Sequence, residues 1–103
     1  MGSYYREKIV KLHDVLFLNV NDVKESFIQN EEHWECAYLA SKTLSDAKIH
    51  SQWEKIWHEL NSKVNPYKGF ETNFSFTISR KHKKTLGKYL LFVLEQYSYV
   101  RNK

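Results

Sequence analysis

The sequence predicts an α+β domain in which three to four N-terminal helices pack on a small C-terminal antiparallel β element, a hairpin. Three observations carry that expectation. Apolar residues recur at helical spacing as far as Val64, Asn65-Pro66 and Gly69 then break the chain, and the apolar period shortens to two over residues 72–79. With 103 residues, 42% of them apolar and only three Gly and one Pro, the chain is expected to fold as one domain, 1–103, rather than remain disordered.

Ser3 is placed to cap a first helix whose stripe is Tyr5, Ile9, Leu12, Val15 and Leu16, running to about Leu18. Asn19, Asn21 and Asp22 supply a break and the next N-cap, and Val23, Phe27 and Ile28 form the apolar face of a second helix. Trp34, Ala37, Tyr38 and Leu44 make another stripe, and the pattern leaves open whether it continues helix two or restarts after Asn30. The clearest periodicity is Ile49, Trp53, Ile56, Trp57, Leu60 and Val64, with Ser51 and Glu54 spaced as a capping box and Pro66 as the stop.

Tyr67, Lys68 and Gly69 read as a turn. Beyond them Thr72, Phe74, Phe76 and Ile78 alternate with Glu71, Asn73, Ser75, Thr77 and Ser79, as in a strand with one buried face. A lone strand leaves its backbone groups unpaired, so residues 88–100 are assigned as its partner and Arg80–Gly87 as the hairpin loop. The alternative is a mainly α fold with a C-terminal helix over 86–101. In that case Leu86, Tyr89, Leu90, Val93, Leu94, Tyr97 and Val100 form the stripe, and the strand has to pair across a dimer.

Charge is uneven along the chain. Residues 1–62 hold seven Lys or Arg against ten Asp or Glu, whereas residues 63–103 hold nine against two. Lys outnumbers Arg thirteen to three, which favours sequence-blind attraction to phosphates over bidentate reading of bases. The strongest functional candidate is the run Arg80-Lys81-His82-Lys83-Lys84, joined by Lys68, Lys88 and Arg101. Like charges in sequence repel, so such a run belongs on a solvated surface or beside an anion. If it tips a hairpin carrying Phe74, Phe76, Tyr89 and Tyr97, cations and aromatic faces together suit single-stranded nucleic acid.

Other chemistries find less support. Lys68-Gly69-Phe70 resembles the opening of the RNA-recognition-motif signature, but Glu71, Thr72 and Asn73 depart from it and nothing is carried over. His33 and Cys36 share a helix face, yet the paired short spacings of a structural zinc site are missing, and no cofactor is expected. Gly2, Gly69 and Gly87 cannot build a phosphate-cradling loop. The longest strictly apolar run, Tyr89 to Leu94, is far short of the roughly 20 residues that span a bilayer, so no membrane partner is expected. A lone Cys36 points to a reducing, cytoplasmic setting.

The expected function is therefore a non-catalytic binding module whose basic C-terminal half engages nucleic acid without sequence preference, or another polyanion such as an acidic protein. The alternative is a small protein-binding adaptor or inhibitor, masking its partner through the basic tail or through Trp34, Trp53 and Trp57 rimmed by acidic residues. Third is a metal-independent ribonuclease built on His82, Arg80, Lys84 and Glu71 or Glu95. Oligomeric state is open, with a dimer admissible.

Overall fold

A computed structural model describes residues 3–17, 22–64 and 72–102. They form six helices, α1 (Ser3–Phe17), α2 (Val23–Gln29), α3 (Glu31–Ser41), α4 (Ala47–Leu60), α5 (Asn73–Arg80) and α6 (Lys83–Arg101). There is no strand among the described residues, which overturns the α+β class and its hairpin and agrees with the mainly α alternative. The expected turn at Tyr67, Lys68 and Gly69 and the stop at Pro66 lie outside the described residues.

The segment read as a strand is α5, and its burial pattern explains the error. Phe74, Ser75, Thr77 and Ile78 are the buried residues, a helical spacing in which two of the supposedly outward hydroxyls face inward. Both are satisfied at short range. Ser75 and Thr72 cap each other, with Ser75 N donating to Thr72 Oγ1 at 3.0 Å and Thr72 N to Ser75 Oγ at 3.1 Å. Thr77 Oγ1 accepts from Lys63 N at 2.9 Å. A period-two count scores Ser and Thr as polar and outward, and here the cap partner of Ser75 and the Lys63 backbone beside Thr77 let them in.

Helix ends follow capping chemistry. Asp22 accepts from the backbone of Lys24 and Glu25 and starts α2. Asn30 separates α2 from α3. Asp46 accepts from Lys48 N and Ile49 N, so α4 starts four residues before the expected Ser51–Glu54 box, whose residues lie inside the helix. α5 and α6 are joined by Lys81 and His82, both extended, in place of the loop expected over Arg80–Gly87.

Tyr5, Ile9, Leu12 and Leu16 line the buried face of α1, which packs along α3 and α6. α2 lies against α5 and α6, and α4 against α3 and α5. An aromatic row threads four helices, with ring centroids 4.9 Å apart for Phe27–Trp34, 6.3 Å for Trp34–Trp53 and 5.1 Å for Trp53–Phe92. Within this core Trp53 Nε1 donates to Tyr5 Oη at 2.9 Å, and Tyr5 Oη donates to Gln96 Oε1 at 2.7 Å. One buried relay thus fixes α4, α1 and α6 in register.

Candidate nucleic-acid interface

The basic run sits at the α5–α6 corner. Arg80 ends α5, Lys81 and His82 make the turn, and Lys83 and Lys84 occupy the first turn of α6. Arg80, His82, Lys83 and Lys84 are exposed and Lys81 is half-buried. The turn is short because the extended His82 backbone lets its carbonyl take the first α6 bonds, from Thr85 N at 3.0 Å and Leu86 N at 3.2 Å. The His82 side chain makes no capping hydrogen bond, and α6 has no acidic residue in its first turn. Lysines at the positive end of a helix oppose its dipole by about 0.3–1 kcal/mol each, a cost that a bound anion would reverse.

The fold adds a residue that the sequence pattern missed. Lys24 Nζ donates to Ser79 O at 3.2 Å, which brings α2 to the corner. No local pattern ties residue 24 to residue 79, and only the packing of α2 on α5 does so. Asp22 also arrives, its Oδ2 at 3.6 Å from Lys83 Nζ, and both side chains are well exposed, so the pair is weak. The Asp22 carboxyl is held below the usual carboxylate range, first by the backbone N–H of Glu25, then by that of Lys24, with Lys83 a lesser influence. Lys24, Arg80, Lys81, Lys83 and Lys84 thus gather on one corner, and among the described residues the carboxylate within ion-pair distance of them is Asp22.

The remaining site residues are spread out. Lys88, one turn further along α6, rims a groove of about 260 Å³ between α4 and α6 with Lys55, Glu59 and Tyr89. Arg101 lies about 27 Å along the α6 axis from Lys83 and donates from Nη1 to Tyr97 Oη at 2.9 Å. Lys68 is outside the described residues.

The expected stacking faces are spoken for. Phe74 and Tyr89 are buried, the Arg80 guanidinium covers the Phe76 ring at 4.8 Å, and Tyr97 stacks on His13 at 3.7 Å. Lys81 Nζ lies 5.8 Å from the Tyr89 ring, whose hydroxyl donates to Glu59 Oε1 at 2.8 Å. Among the described residues the corner therefore offers charge and no base-stacking platform.

Trp34 and Trp53 are fully buried and Trp57 stacks on Tyr38 at 5.3 Å, so the indoles belong to the core and its edge, not to an exposed anchor. Glu95 is about 20 Å along α6 from His82, out of reach as its acid–base partner, and Glu71 lies outside the described residues. His33 and Cys36 line a groove of about 330 Å³ with Glu7, Lys8, Lys11 and Glu32. Among the described residues no three His, Cys, Asp or Glu side chains converge as metal ligands. No helix among them is long and apolar enough to cross a membrane.

Compared with family models, with curated proteins and with solved structures, the chain matches none, so the reading of this corner rests on its own geometry.

Proposed function

We propose that this chain is a non-catalytic binding module whose α5–α6 corner engages the phosphates of nucleic acid without sequence preference. The observation that supports it is the gathering of Arg80, Lys81, His82, Lys83 and Lys84, with Lys24 from α2, on the N-terminal end of α6, where no side-chain cap and no acidic residue of the helix's own first turn offsets the positive charge and Asp22 pairs only weakly with Lys83. Four of the five formal cations are lysines, which suits phosphate contact over base readout, and so does the lack of a free aromatic face beside them among the described residues. The half-buried, unpaired Cys36 suits a reducing compartment such as the cytoplasm.

The test is co-purification. Protein eluted at low salt should carry nucleic acid, read as a raised 260 to 280 nm absorbance ratio that a high-salt wash returns to the protein value. Replacing Lys81, Lys83 and Lys84 together by Gln should remove the excess. A stoichiometric acidic protein recovered instead, with no nucleic acid, would transfer the same corner to the masking role.

A further inference from the structure

Apart from that reading, the outer face of α6 carries a second surface. Its exposed residues are Lys84, Gly87, Lys88, Leu91, Leu94, Glu95, Ser98 and Arg101, a seven-residue repeat along the whole helix. Leu91 is 58% exposed and Leu94 41%, adjacent at i, i+3 in the middle of the stripe. A Cβ at Gly87 would meet nothing within 4 Å, so packing within the chain does not explain a glycine inside a helix, where it costs about 1 kcal/mol relative to alanine.

We infer that this face docks a second copy of the chain, with the two α6 helices antiparallel about a twofold axis between Leu91 and Leu94. Leu91 of each copy then meets Leu94 of the other, and Gly87 meets Ser98, two small residues that let the backbones approach. Lys88 lies beside Glu95 of the second copy, and the symmetry makes that pair twice. Neither residue has an ion pair within the chain among the described residues, so both charges are free for it. A parallel arrangement would instead put the two copies' 88 and 95 positions on opposite flanks of the seam, where Lys88 and Glu95 cannot meet. Charge complementarity therefore selects the antiparallel pair.

Two features limit the affinity. Two leucines a side fall short of the roughly 800 Å² per partner of a standard interface, and Lys84 meets Arg101 of the second copy with like charge at each end. The expected dimer is weak, with a dissociation constant of tens of micromolar. It would also bring each Arg101 to the other copy's basic corner.

Sedimentation equilibrium of the full chain, free of nucleic acid, over about 5 to 500 µM is the test. The wild type should pass from monomer to dimer mass. Leu91→Glu with Leu94→Glu should stay monomeric with its helix content unchanged. Lys88→Glu and Glu95→Lys should each weaken association about tenfold, and mixing these two variants should restore it as a heterodimer. A wild type that stays monomeric at the highest concentration, association that survives the double Glu variant, or single variants that do not complement one another would each overturn the inference. None of these outcomes bears on nucleic-acid binding by the corner, which co-purification tests separately.

Discussion

Tyr5 carries more of the fold than its single stripe position suggests. Its hydroxyl accepts from Trp53 and donates to Gln96, so Tyr5→Phe strands a buried donor and a buried acceptor at once. We expect a loss of about 2 kcal/mol in urea unfolding, within the range for a buried polar group left unpaired. Burial, more than the neighbouring Tyr99, pushes the Tyr5 phenol far above its ordinary range, while the Trp53 bond pulls the other way. Burial likewise raises Tyr89, with Glu59 adding to it. A pKa raised in the folded state means stability that is whole below the ordinary phenol pKa of about 10 and declines as pH climbs past it. Unfolding followed from pH 8 to 11 should show that decline, shallower in Tyr5→Phe. The spacing of Tyr5 with Ile9, Leu12 and Leu16 gave away its burial. Its partners, 48 and 91 residues distant, left no trace in the sequence.

Among the elements, α1 and α4 were legible because long amphipathic stripes have one interpretation, and α5 was not. Eight residues that alternate Phe and Ile with Ser and Thr satisfy a strand count, and what decides for the helix is the reciprocal cap between Thr72 and Ser75. Residues 88–100 were ambiguous for another reason, since a six-residue apolar run satisfies either period. Gly87 then looked like a loop residue, whereas it lies within α6 with open space over its Cα. Gly87→Ala should therefore stabilise the fold by about 0.5–1 kcal/mol, read as a higher thermal midpoint at a dilution where the chain is monomeric. Asp46→Ala should destabilise by about 1 kcal/mol through lost capping of α4. Asp22 caps α2 in the same way with a lowered pKa, so its contribution holds above the ordinary carboxylate pKa and fades as acid protonates it.

On the scale of the molecule, the charge count foretold which half would be basic, but not how the bases would be placed. The run 80–84 stays together because it is contiguous, and Arg101 departs because α6 runs for 19 residues and carries it to the far end. Lys24 arrives from the acidic half, which a count by halves cannot anticipate. The result, among the described residues, is a cationic corner whose neighbouring aromatics are already committed to the core or to its own cations. Binding at such a corner should be dominated by counterion release, with log affinity falling linearly against log salt. The most direct measurement is fluorescence anisotropy of a labelled single-stranded oligonucleotide titrated with the chain from about 50 to 200 mM salt. Affinity should drop at least tenfold across that range, and the Lys81, Lys83, Lys84 triple Gln variant should show a slope smaller by about 2. No binding at the lowest salt, an affinity indifferent to salt, or a triple variant that binds like the wild type would contradict it.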